Sequence, residues 1–80
     1  MLFFKDKIEK SFNLSKETRI IYRFLKKRKL WYKASDISME TGLDLTNVIA
    51  RLKYLYSLGL IEKRQPNYTF AVYYKIRNGV

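Results

Sequence analysis

Apolar and polar positions repeat along this chain with two different periods. Between residues 44 and 58, Leu45, Val48, Ile49, Leu52, Leu55 and Tyr56 recur at the three- and four-residue spacing that keeps one helix face dry. Asp44 precedes them as an N-cap, since its carboxylate can accept from free N–H groups of the first turn. Gly59 follows them as a stop, because it takes positive φ without a Cβ clash. The pattern predicts a helix over 44–58. Upstream, Ile20, Ile21, Phe24 and Leu25 form the stripe of a second helix, running from an N-cap at Ser15 to Arg28 or Lys29. Phe4, Ile8 and Phe12 fall at i, i+4 and i+8, which predicts a short amphipathic helix in an N-terminal extension, residues 1–14.

The connecting segments are shorter. Leu30-Trp31-Tyr32-Lys33 reads as a brief strand. Ser35 is the expected N-cap of a short helix with Asp36 in its first turn and Ile37 and Met39 as apolar contacts, ending at Thr41-Gly42. After Gly59 the period changes. Residues 60–65 read as a strand, Gln65-Pro66-Asn67-Tyr68 as a turn, and residues 68–76 as a second strand with Phe70, Val72, Tyr74 and Ile76 on one face. Together they make a hairpin, and Tyr73 and Tyr74 are expected to serve the core and a dimer surface. No repeat or linker interrupts the chain, which is expected to form one α+β domain.

Composition narrows the chemistry. The chain has 80 residues, 48% of them hydrophobic and 16% aromatic, enough for one small core. It has no Cys and no His, so thiolate sites, disulfides and the commonest general base are excluded. The seven acids are scattered, and neither an enzyme nor a bound cofactor or small-molecule ligand is expected. No apolar run is long enough for a membrane span or a secretory signal, so a cytoplasmic protein is expected. Seventeen Lys+Arg against seven Asp+Glu give a net charge of +10, which points to a polyanionic partner. Residues 16–33 carry eight cations and one carboxylate. Lys26-Lys27-Arg28-Lys29 oppose the negative end of a helix dipole, yet the concentration exceeds what capping requires and suits phosphate contact.

The polar face of the 44–58 helix sharpens that expectation. Ala50 and Tyr54 lie opposite the apolar stripe, Thr46, Asn47, Lys53 and Ser57 flank them, and Arg51 sits nearer the edge. Two cations and no carboxylate occupy this face. The order of elements is helix, short strand, helix, turn, helix, hairpin. With Ala34-Ser35-Asp36-Ile37, Thr41-Gly42-Leu43, Asn47-Val48, Leu52-Lys53-x-Leu55 and, most typically, Leu58-Gly59-Leu60-Ile61-Glu62-Lys63, residues 15–76 resemble the winged helix-turn-helix family of small transcription regulators.

The resemblance implies a three-helix core with a C-terminal β-hairpin wing, a recognition helix in the major groove of double-stranded DNA, and a homodimer. Carried over by position, it makes Thr46, Asn47, Ala50, Arg51 and Tyr54 groove-facing, with Asn suited to adenine, Arg to guanine and Ala50 to a thymine methyl. Lys33, Ser35 and Lys53 become phosphate contacts, and Lys63, Arg64, Gln65 and Asn67 line the wing. This sequence departs from the family in placing Ala50 where many relatives have a basic residue, and in its short wing turn, which disfavours deep minor-groove insertion. Each site residue also has a plainer role. Thr46 and Asn47 suit a first helical turn, Arg51 a solvated edge, Tyr54 packing on a neighbour, and Lys63-Arg64 the protection of an exposed strand. A non-specific architectural DNA-binding protein and a protein-interaction module are the alternative readings.

Overall fold

A computed structural model describes residues 12–79. Of the helix expected on Phe4, Ile8 and Phe12, the first two positions lie outside the described residues, and Phe12 is exposed. The elements are α1 (Lys16–Arg28), β1 (Tyr32–Lys33), α2 (Ala34–Thr41), α3 (Leu45–Ser57), β2 (Ile61–Arg64) and β3 (Tyr73–Ile76). The strands form one antiparallel sheet in the order β1-β3-β2.

The helix ends follow from local chemistry. Ser15 caps α1, its Oγ accepting from the Thr18 N–H at 3.4 Å and lying 2.8 Å from the Thr18 hydroxyl, which satisfies a side chain that is otherwise buried. At the other end Lys29 stands in the left-handed region with φ 58° and donates its N–H to the Leu25 carbonyl. Asp44 caps α3, accepting from the Asn47 N–H at 3.3 Å. Past α3 the Gly59 N–H bonds the Tyr56 carbonyl and the Leu60 N–H bonds the Leu55 carbonyl, which is the paired termination that needs positive φ at glycine. Gly59 has φ +77°, and Leu55 and Leu60 both join the core across that stop.

The short helix α2 starts differently from the expectation. Its N-cap is Lys33, and the Asp36 carboxylate accepts from the Lys33 N–H at 3.2 Å. Ser35 therefore lies inside the first turn, exposed, rather than at the cap. The acid at the third helical position reaches back to the N-cap backbone N–H, as in a capping box, and fixes the start two residues earlier than a serine cap would. The turn from α2 to α3 is tied from both sides: Ser38 Oγ donates to the Leu43 carbonyl at 2.6 Å, and the Thr41 hydroxyl accepts from the Leu43 N–H. Gly42 carries φ 77° there.

The core joins Ile21, Tyr22, Phe24 and Leu25 of α1, Ile37 of α2, Val48, Leu52 and Leu55 of α3, and Leu60, Ile61, Tyr74 and Ile76 from the hairpin. Tyr32 of β1 closes one side, its ring edge-on to Phe24 at 5.0 Å. The stripe of α3 is narrower than expected, because Leu45, Ile49 and Tyr56 are more than a third exposed. Ile20 is likewise half-buried, whereas Tyr22 is fully buried.

The hairpin is the largest departure. Strand β2 covers Ile61–Arg64 and β3 only Tyr73–Ile76, so an eight-residue connection, 65–72, replaces the short turn expected at residues 65–68. Phe70, placed by alternation on the core face, is 96% exposed, and Tyr68 is 89% exposed. Only Tyr74 and Ile76 keep the buried register, with Val72 packed against it. Residues 68–71 have strand composition, but among the described residues no strand pairs with them, and β-propensity without pairing does not hold a strand.

Candidate nucleic-acid interface

Helix α3 is held on two sides and open on a third. On one edge the Asn47 Nδ2 donates to the Glu17 carboxylate of α1 at 3.0 Å. On the other edge the Lys63 ammonium of β2 lies 4.6 Å from the centre of the Tyr56 ring. Between these ties Thr46, Ala50, Lys53, Tyr54 and Ser57 are exposed along the helix. No carboxylate occurs in α3 itself. The capped turn after α2 sets where α3 begins, and the Gly59 stop sends the chain directly into the wing.

The expected site residues divide into four groups. Thr46, Ala50, Lys53 and Tyr54 come together on the open strip of α3. Asn47 and Arg51 are half-buried on the edge nearest α1. The Asn47 amide is already engaged by Glu17, and the Arg51 Nε is sealed from solvent with no hydrogen-bond partner. Lys63, Arg64, Gln65 and Asn67 are exposed on β2 and the long wing connection. There Gln65 donates through Nε2 to the Phe70 carbonyl at 3.2 Å, which ties the connection to itself. Lys33 and Ser35 sit at the start of α2.

Some participants were not visible in the sequence. Glu17 reads as an ordinary first-turn acid, and only the packing of α1 against α3 places it on Asn47. Trp31 reads as strand filler. In the fold the Arg64 guanidinium and the Lys75 ammonium stand 6.0 and 5.7 Å from its ring centre. At the end of α1, Arg28 lies 4.1 Å over the Phe24 ring and Lys26 5.6 Å from the Tyr22 ring, so part of the basic cluster covers aromatic core residues. Lys27 and Lys29 remain exposed. Among the described residues no group of acids could hold a metal ion, and no helix is long and apolar enough to cross a membrane.

Solved structures share this arrangement. The chain superposes on a possible transcriptional regulator from Methanosarcina mazei Go1 with a TM-score of 0.82 at 21% identity, covering 99% of this chain and 75% of that one. Lactococcus lactis ZitR, solved in complex with DNA, matches with a TM-score of 0.74 at 18% identity over 98% of this chain and 51% of its own. Escherichia coli MarR, solved with operator DNA, gives 0.71 at 14% identity over 88% of this chain and 50% of its own. No family model matches the chain. No curated protein matches it by sequence. The fold is that of a winged helix-turn-helix domain: α2 and α3 form the helix-turn-helix, and the hairpin β2–β3 is the wing.

Proposed function

We propose that this domain is a sequence-specific transcription regulator that binds double-stranded DNA, with α3 in the major groove and the β2–β3 wing over the adjacent backbone. The observation that carries the reading is the open strip of α3, a row of small and polar side chains free of carboxylates, fixed between α1 and a cationic wing. Thr46, Ala50 and Tyr54 present methyl, hydroxyl and ring groups to base edges. Lys53, Lys63 and Arg64 are placed for phosphates beside that strip, where contacts fix register. Arg51 takes part through its terminal nitrogens, and Asn47 takes part by exchanging Glu17 for a base. Lys33 and Ser35, at the α2 start, suit the neighbouring backbone. The DNA complexes of MarR and ZitR, which share the fold, support the general assignment. A two-fold operator read by a homodimer completes the proposal, with the long helix α1 as the candidate surface among the described residues, since β3 is the central strand and is paired on both edges.

The test is fluorescence anisotropy of the purified chain on random duplex DNA, repeated on the pool selected for tightest binding. Selection is expected to raise affinity by at least about 10³-fold, the lower range for specific binders. Alanine at both Asn47 and Arg51 is expected to erase the difference. Equal affinity before and after selection, with a steep salt dependence, identifies an architectural binder instead. The exposed Lys27 and Lys29 at the end of α1 favour that second reading, because they lie off the recognition helix.

A further inference from the structure

The outward face of the sheet has a composition that the recognition helix does not explain. In the antiparallel register Arg64 stands opposite Tyr73, Lys33 opposite Tyr73 on its other side, and Glu62 opposite Lys75. These positions alternate with Ile61, Tyr74 and Ile76, which point into the core. The face away from the core therefore carries three cations, one acid and Tyr73. Trp31 joins it just before β1, its ring centre 6.0 Å from the Arg64 guanidinium and 5.7 Å from the Lys75 ammonium. The wing connection then folds over one end. A cavity of about 220 Å³ opens there, lined by Trp31, Arg64, Pro66, Tyr68 and Tyr73.

We infer that this pocket is a second nucleic-acid site, which takes an unpaired base of a single strand. Three aromatic side chains offer π-faces, and a planar base stacks on such faces whatever its sequence. Arg64 in the lining, Lys75 near the Trp31 ring and Lys33 opposite Tyr73 supply the positive charge a phosphate backbone follows. A sheet face combining aromatics and cations is a general solution for single strands, whose bases are free to splay onto it. The same charge argues against a proline-rich peptide, which would use the aromatic rings but leave the cations without partners. Duplex DNA keeps its bases stacked on one another and cannot fill the pocket without opening. The pocket shares Arg64 with the proposed duplex surface and draws on the nearby Lys33, but its aromatic lining lies off the open strip of α3, so strand binding is tested apart from the duplex reading.

Trp31 is the chain's single tryptophan, so the site reports its own occupancy. A short oligothymidylate strand is titrated into the full chain while Trp31 fluorescence is followed. A strand of equal length and charge lacking its bases, a closed hairpin duplex and a proline-rich peptide are the comparisons. Quenching by oligothymidylate is expected, with much weaker effects from the other three. Tyr68→Ala, at a position 89% exposed, is expected to leave thermal unfolding unchanged and to weaken the strand by roughly 5- to 150-fold, the range that loss of one base–aromatic stack gives. Asn47→Ala/Arg51→Ala is expected to keep strand binding intact even where duplex discrimination is lost, so failure of either site is read separately. The inference is overturned if the baseless strand binds as tightly, if the closed duplex or the peptide quenches as strongly, or if Tyr68→Ala binds like the parent.

Discussion

Removing the carboxylate of Glu17 should tighten binding to the cognate site, although Glu17 touches no base in the proposed complex. Its carboxylate accepts the Asn47 amide at 3.0 Å, and bidentate pairing of Asn with adenine needs that amide free. Binding must therefore break this bond first. The pair is partly exposed, so its net strength is taken at the neutral end of the scale, about 0.5–1.5 kcal/mol. With tenfold for each 1.4 kcal/mol, Glu17→Ala should strengthen the cognate complex by roughly 2- to 12-fold. Folding moves the other way. Glu17 lies in the first turn of α1, where a negative charge favourably meets the helix dipole, so its loss together with the bond should lower stability by about 1–2 kcal/mol. The assay is a double-mutant cycle of Glu17→Ala and Asn47→Ala, read by anisotropy on cognate and random duplexes and by urea denaturation. Removing an acid near DNA also strengthens random binding through charge alone, and that part falls away at higher salt. The reasoning predicts an additional gain on the cognate duplex that disappears in the Asn47→Ala background. An equal gain on both duplexes, unchanged by Asn47→Ala, would refute it and leave the Glu17–Asn47 bond a purely structural tie between α1 and α3.

Lys29 occupies a left-handed conformation at the end of α1, so Lys29→Gly should stabilise the domain by about 0.5–1 kcal/mol, the relieved clash exceeding the added chain entropy. In a thermal melt this is an upward shift of a few degrees. If Lys29 also meets a phosphate, the same variant lowers the salt slope of DNA binding by about 0.9. Leu52 is fully buried in α3, and Leu52→Ala should lose about 2–5 kcal/mol by urea denaturation, a large part of what a small domain possesses. Burial raises the Tyr74 hydroxyl above its ordinary pKa of 10.0. The unfolded chain therefore ionises first, and the contribution of Tyr74 is fully present below pH 10 and is lost as pH rises through the folded value. Unfolding followed upward from neutral pH should show Tyr74→Phe flattening that decline, and a decline unchanged in Tyr74→Phe would contradict the assignment.

The elements and their order were legible from the chain because their signals are local. Ser15, Asp44 and Gly59 act within a turn of themselves, and each is found in the role its chemistry dictates. The helix start at Lys33 was misread because Ser35 has the usual N-cap chemistry, whereas the start is fixed by the Asp36 carboxylate reaching back to the Lys33 N–H. The exposed strip of α3 was legible from periodicity, but its edges were not. Asn47 looks as available as Thr46 until Glu17 of α1 is packed beside it.

The wing divides the two kinds of information most clearly. By itself the sequence determined that a turn follows Arg64 and that Tyr74 and Ile76 face inward, because proline geometry and two-residue alternation are properties of the local backbone. Tertiary structure alone decided where pairing stops, since a strand needs a partner and the residues around Phe70 have none among the described residues. It also decided that Trp31, Tyr68 and Tyr73, distant in the chain, share one pocket with Arg64. Such a juxtaposition depends on how β1, β2 and β3 are ordered in the sheet, and strand order is set by the burial of the whole core rather than by any single segment.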